Sequence, residues 1–266
     1  MPITWYGVLF ALGFFIGYYI LLSFLKRYLI HNDLHVTNPG KFADRITIYV
    51  IVATILGARL GHLIFYESFE YYFLHPKNIF NFWEGGKFSG IQGLASHGAA
   101  IAIIFAMMLL SWRERKKTKI SFLTLLDFIC LPTALAGCFI RIGNFINQEI
   151  LGTVSTLPWA VIFANPADGG GLLPRHPVQL YEALFYLISF FILLFVSYKP
   201  RFYLKPGRVL GLFLVLVFIF RYFIEFVKEE QSFIFHSSFF TMGQLLSIPF
   251  ILLGFFLLKK GVKKCV

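Results

Sequence analysis

In Gly137-Cys138-Phe139-Ile140-Arg141-Ile142-Gly143-Asn144-Phe145-Ile146-Asn147-Gln148-Glu149-Ile150-Leu151-Gly152 the end of an apolar run fills abruptly with charge and amide groups. An arginine in apolar surroundings costs about 3 kcal/mol on membrane-insertion scales, so Arg141 calls for a counterpart, either inside the protein or on a ligand. A lone arginine at a helix end can snorkel to water on its long stem. Arg141 is not alone, because Asn144, Asn147 and Glu149 follow it at once.

The composition around this stretch fixes the class. Of 266 residues, 58% are hydrophobic, 34 are Phe and only 14% are charged, against about 25% in soluble domains. Apolar runs long enough for a bilayer of about 30 Å fall at residues 3–25, 46–66, 92–112, 120–141, 178–198, 209–227 and 241–258. The expectation is an all-α integral membrane protein, a single membrane domain over residues 1–266 with seven transmembrane helices. Residues 142–177 form a small extracytoplasmic cap and residues 67–91 an interfacial arm. The N-terminus lacks a basic n-region and a small-residue cleavage site, so the first run reads as a retained span.

The formal charge of +11 could point to nucleic acid, but the basic residues are dealt into short clusters between the apolar runs, which is a topology signal. The loops holding Lys26, Arg45, Lys116, Lys199 and Lys264, with their neighbours, carry 17 of the 24 Lys and Arg. The opposite side has Lys77, Lys87, Arg141, Arg175 and Lys228. The positive-inside rule then places the N-terminus outside and the C-terminus in the cytoplasm. His31 and His35 stand four apart, but without a third ligand or a glutamate between them they make no metal site. Among the three cysteines there is no CxxC and no disulfide framework; Cys130 and Cys138 lie in an apolar run and Cys265 in the tail.

Segment 67–88 mixes Tyr71, Phe73, Phe82 and Trp83 with charges, which suits an element lying in the membrane interface. Leu157 to Phe163 reads as a short strand, followed by a loop of breakers through Asp168 to Gly171.

Placed on the spans, the polar residues gather at the outer level. Tyr6 opens the first span from outside, Arg59 and His62 sit in the outer third of the second, and Ser96 and His97 in the outer part of the third. Gln179 and Glu182 open the fifth, and Arg221 and Glu225 close the sixth. Asp127 stands apart in the inner half of the fourth and reads as a structural hydrogen-bonding or ion-pairing group. Arg221 and Glu225, four apart, are expected to share a helix face and to pair. Arg59, Arg141 and Arg221 are permanently charged forks suited to phosphate oxygens, and a lipid phosphate is the anion found at that depth. His97 brings an imidazole to the set at a helix start, a candidate general base.

At these residues the sequence resembles the prolipoprotein diacylglyceryl transferase family nearly from end to end. Trp5-Tyr6-Gly7, Gly57-Ala58-Arg59-Leu60-Gly61, Ser96-His97-Gly98, Arg141 through Asn144 and Glu149 to Gly152, Arg175-His176-Pro177 through Glu182, Arg221 with Glu225, and Met242-Gly243-Gln244 carry the likeness in order. The chain departs from the family pattern at Ser96 and in Lys228-Glu229-Glu230-Gln231.

The resemblance implies a bacterial cytoplasmic (inner) membrane enzyme with two substrates, phosphatidylglycerol and a lipobox-containing prolipoprotein. It implies that the cysteine thiol of the acceptor displaces the phosphate ester of the lipid, with no cofactor and no metal. On this reading His97 is the base, Arg141 and Arg221 are catalytic phosphate clamps, and Tyr6, Asn144, Glu149 and Gly152 bind and position substrate. Arg59 and Glu225 orient their neighbours. A lipid carrier would also line a path with arginines, but it should carry polar groups at both depths and often internal repeats. A seven-span receptor or scaffold would share the topology without needing three arginines and a histidine at one level.

Overall fold

A computed structural model describes residues 5–34, 36–67, 72, 74–80, 83–84, 87–88, 93–167, 169–229 and 241–260. Residues 1–4, His35, Tyr71, Phe73, Phe82, Asp168, Glu230, Gln231, Lys264 and Cys265, named above, lie outside the described residues. Eight α-helices are described: α1 Trp5–His31, α2 Pro39–Tyr66, α3 Ser96–Thr118, α4 Phe122–Ile146, α5 Val178–Ser197, the short α6 Pro200–Tyr203, α7 Arg208–Ile224 and α8 Met242–Lys260. All but α6 are long and apolar enough to cross a membrane, seven in total. The protein is thus an all-α, multi-pass membrane protein.

Several helices outrun the apolar runs. The first helix continues through Lys26 and Arg27 to His31, whose Nδ1 meets the Arg27 carbonyl at 3.1 Å. The second starts at Pro39, because the Asn38 side chain accepts the Lys41 N–H at 3.0 Å and Pro39 needs no donor at a first-turn position. Hydrophobicity marks where the bilayer is, whereas capping marks where the helix stops. The helix α4 reaches Ile146, a turn beyond its apolar run.

The chain falls into two compact units, residues 33–126 with 1–2, and residues 3–32 with 127–266. In the first, α2 and α3 meet through glycines: a Cβ on Gly61 would stand 2.7 Å from the Gly98 Cα. The Ala95 N–H donates to the Ala58 carbonyl at 2.9 Å, so the two backbones nearly touch where α3 begins. This is the small-residue packing by which helices approach closely in lipid.

In the second unit, α7 and α8 approach in the same way, a Cβ on Gly211 falling 2.9 Å from the Gly254 carbonyl. A cluster of edge-to-face rings joins α1, α4 and α6: Phe24 and Tyr28 pack on Phe128 at 5.4 and 5.2 Å between centroids, and Phe24 on Tyr203 at 5.7 Å. Beside it, buried Asp127 accepts the N–H groups of Gly207 and Leu210, both at 2.7 Å. A carboxylate from α4 therefore caps the start of α7, where free N–H groups and the helix dipole favour negative charge. That is the structural hydrogen-bonding role expected of Asp127.

Beyond α4 the chain runs through a loop to α5. Within it β3 (Val161–Ile162) pairs antiparallel with β4 (Pro174–Arg175), so the strand-like run at 157–163 shrinks to two residues. The other hairpin pairs β1 (Trp83–Glu84) with β2 (Lys87–Phe88) in the first unit. Isolated bridges tie Gly152 to Lys228 and Val154 to Arg175.

Candidate active site

The signature 141–152 lies at the end of α4, where helix gives way to a tight turn. Gln148 and Ile150 take φ of 55° and 60°. A β-branched residue there is a genuine outlier, and such strain persists only where the surroundings impose it. The surroundings do so by holding Glu149 between them. Its Oε1 accepts from Asn144 Nδ2 at 2.8 Å and from Asn147 Nδ2 at 3.3 Å, and its carbonyl accepts from Gln179 Nε2 at 2.8 Å.

The Asn144 oxygen in turn accepts from Arg141 Nη1 at 3.3 Å. Arg141 Nε faces Glu182 Oε2 on α5 at 3.0 Å. The contact meets the distance of an ion pair but not the alignment of a hydrogen bond, since that oxygen has no hydrogen-bond partner among the described residues. The other Glu182 oxygen stands 3.8 Å from Lys228 Nζ. Glu182, Asn144 and Gln179 are all buried.

Tyr6, in the first turn of α1, lays its ring on Gly143, where a Cβ would fall 2.6 Å from the ring edge. Gly143 is thus a glycine so that α4 can accept this ring. Gly152 has a related duty: a Cβ there would come within 2.7 Å of the His176 Cβ. Its strand segment is held by Thr153 N–H to Val227 carbonyl at 3.0 Å, Glu229 N–H to Leu151 carbonyl at 3.1 Å and His176 N–H to Thr153 carbonyl at 3.0 Å. Gly152 therefore lets the chain that carries Glu149 lie against His176 and Val178 at the entry to α5, while the backbone bonds tie the same segment to the chain that carries Lys228. Arg175 and Glu229 close the same junction with an ion pair.

The expected pairing of Arg221 with Glu225 is corrected. Among the described residues no ion pair joins them, although Glu225 keeps αR backbone angles where α7 passes into a 3-10 turn over Glu225–Val227. The carboxylate is set instead against Gly243 of α8. Lys228 follows the turn. Burial pushes its ammonium pKa below the ordinary lysine value; the carboxylates of Glu182 and Glu225 oppose that fall and Arg141 and Arg221 add to it. The second unit therefore brings together Tyr6, Arg141, Asn144, Glu149, Gly152, Arg221 and Glu225.

Lys228 and Glu182 belong to the cluster too, although sequence reasoning took the first for a loop charge and gave the second no partner. Tyr186, which lies within electrostatic reach of Arg141, Glu182 and Arg221, was missed altogether. The signals were spacings: 221, 225 and 228 run four then three apart, and Glu182 and Tyr186 are four apart on α5.

The first unit holds the other two predicted residues. Buried Arg59 donates from Nε to the Ile79 carbonyl at 2.6 Å and lies 3.4 Å from Glu67 Oε1. His62 Nε2 meets the same oxygen at 3.0 Å. Arg59 thereby anchors the segment after α2. His97 sits exposed in the first turn of α3, edge-on to Phe65 at 4.9 Å and tilted to Tyr66 at 5.8 Å between centroids.

Seven spanning helices and a cluster of cations held by amides and carboxylates at one end of α4, α5 and α7 define a polytopic membrane protein. The family model described as prolipoprotein diacylglyceryl transferase matches residues 1–259. Proteins named phosphatidylglycerol–prolipoprotein diacylglyceryl transferase are among its relatives. The one from Protochlamydia amoebophila is 46% identical over 80% of this chain, which spans 55% of that protein's length. Those from Tolumonas auensis and Porphyromonas gingivalis are 39% and 40% identical, over 99% and 98% of this chain and 93% and 90% of theirs. The chain belongs to the prolipoprotein diacylglyceryl transferase family and is a transferase.

Proposed function

We propose that this protein transfers the diacylglyceryl group of phosphatidylglycerol to the lipobox cysteine of lipoprotein precursors, the first step of bacterial lipoprotein maturation. The observation that carries this reading is the Arg141 fork, held by Asn144 and Glu182 next to the charges of Arg221 and Lys228. A lipid phosphate brings the anion that such a fork engages through paired N–H donors.

In the reaction the acceptor sulfur attacks the glycerol carbon that bears the phosphate ester. The C–S bond forms, the C–O bond breaks, and the electron pair leaves on the phosphate oxygen, releasing glycerol phosphate and a thioether-linked protein. Arg141 and Arg221 stabilise the charge that gathers on the departing phosphate. A thiol with pKa about 8.5 is mostly protonated near neutrality, and the imidazole of His97 takes its proton. Tyr6, Asn144 and Glu149 position the donor, Gly152 gives the backbone approach behind them, and Arg59 and Glu225 orient their neighbours.

The whole chain acts as one membrane domain in the bacterial cytoplasmic membrane, N-terminus outside and C-terminus in the cytoplasm, with the segment after α4 as its extracytoplasmic cap. A cysteine introduced at Ala167 is then labelled from outside and one at Lys116 is not. Purified protein, phosphatidylglycerol and a lipobox peptide test the activity: the peptide cysteine should gain the mass of one diacylglyceryl group. No gain with any anionic lipid would overturn the reading.

A further inference from the structure

The Nε edge of Arg141 is occupied by a carboxylate. That edge faces Glu182 at 3.0 Å and Nη1 donates to Asn144 at 3.3 Å, so a side-on, bidentate grip on a phosphate through the Nε edge requires Arg141 to turn away from Glu182. Turning from Glu182 leaves a carboxylate only 5% exposed without its guanidinium, a costly state unless another cation takes it over.

That cation is in place. Lys228 Nζ, 8% exposed, stands 3.8 Å from the second Glu182 oxygen, within range of attraction but short of a direct hydrogen bond. Its flexible four-carbon stem can close that gap, whereas its backbone is pinned by the bridge to Gly152.

Resting on the transferase reading above, we propose that Lys228 and Glu182 form an exchange pair. Glu182 neutralises Arg141 in the empty site, and Lys228 takes over Glu182 when Arg141 swings to the phosphate of the donor lipid. Lys228 is thus a positioning residue: it pairs with the carboxylate that the phosphate displaces and does not itself grip the phosphate.

The test is a double-mutant cycle on the full-length protein, measuring KM for phosphatidylglycerol and kcat with a lipobox peptide. Lys228→Met strands Glu182 whenever substrate binds, so KM should rise about tenfold or more, the scale on which an unpaired buried charge is felt, with a smaller change in kcat. Adding Glu182→Gln removes the stranded charge and should recover most of the lost affinity. If Lys228 held the phosphate directly, the double variant would be no better than Lys228→Met, and that result overturns the exchange, as does an unchanged KM in Lys228→Met.

A second measurement needs no disruptive variant. The charged and titratable groups facing Lys228 are Glu182, Arg141, Glu225 and Arg221, and burial lowers its pKa, so its ammonium is lost at lower pH than an exposed lysine's. KM of the wild type should therefore climb on the alkaline side, and Lys228→Arg, which keeps its charge, should flatten that climb. Parallel profiles in the two proteins would overturn the proposal. Absence of any transfer by the wild type, by contrast, would overturn the transferase reading itself.

Discussion

The side chain of Asn144 donates to Glu149 at 2.8 Å while its oxygen accepts from Arg141 at 3.3 Å, so one amide sets both the turn and the guanidinium. Asn144→Asp is nearly isosteric but replaces the donating N–H₂ with a second carboxylate facing Glu149. Two carboxylates at that distance cannot both stay ionised. The expected result is loss of transfer by about a hundredfold, the cost of misplacing a catalytic group, with a lowered melting temperature. A peptide-lipidation assay beside a thermal melt checks it, and near-normal turnover would show that the Asn144–Glu149 bond is incidental.

Arg141→Lys separates charge from geometry. Lysine keeps the positive charge but supplies one ammonium where the fork contacts Glu182 through Nε and Asn144 through Nη1. Transfer should fall at least about a hundredfold, as when an electrostatic donor to developing charge is removed, while the melting temperature stays close to wild type. Retained turnover would mean that bulk positive charge suffices.

For His97, a proton-accepting role makes the loss depend on pH. The glutamine in His97→Gln cannot take the thiol proton, so the variant should lose more rate at pH 7 than at pH 9, where a thiol of pKa about 8.5 ionises unaided. Steady-state rates of variant and wild type across that range decide the matter. A loss that is the same at every pH would assign His97 a hydrogen-bonding role.

Glu67 gives a pH dependence in the first unit. A hydrogen bond from Tyr72 holds its carboxyl below the ordinary value of 4.5, with Arg59 and His62 pulling the same way and burial opposing. A lowered pKa means that the contribution to stability is fully present above 4.5 and is lost as pH falls through the folded value. The segment that Arg59 and Glu67 fasten to the end of α2 should therefore lose amide protection in acid before the helices do. Hydrogen exchange over residues 74–80 reads this, and in Glu67→Gln protection should be low already at neutral pH.

The legible part of the site was the part that breaks the membrane's rules. Arg141 and Asn144 stand out because an arginine and an amide in an apolar run need partners, and the structure supplies them. Asp127 was readable for the same reason. What stayed hidden depends on backbone geometry. The Glu225 carboxylate lies against Gly243 of α8 and not against Arg221, Lys228 comes beside Glu182 after the 3-10 turn at Glu225–Val227, and no periodicity announces either. Likewise Gly143 carries no signal until the Tyr6 ring is seen lying on it.

Cys130 and Cys138 bear on whether the lipid passes through the enzyme's own thiol. Cys138 is three residues before Arg141, close enough in sequence for a covalent relay to be conceivable. The structure leaves both buried, at 2% and 6% exposure, in the body of α4. A relay nucleophile needs thiolate character and access to both donor and acceptor, and buried thiols in apolar surroundings have neither. Cys265 lies in the C-terminal tail, on the cytoplasmic side in the proposed orientation. Direct attack by the acceptor thiol therefore predicts that the variant with Cys130→Ala, Cys138→Ala and Cys265→Ser retains transfer. Each buried substitution should cost no more than about 1 kcal/mol of stability, as small deletions in a core do. The measurement is turnover together with intact-protein mass after incubation with phosphatidylglycerol alone. A diacylglyceryl adduct on the wild type, and an inactive but folded triple variant rescued by restoring one cysteine, would establish a lipid–enzyme intermediate in place of direct displacement.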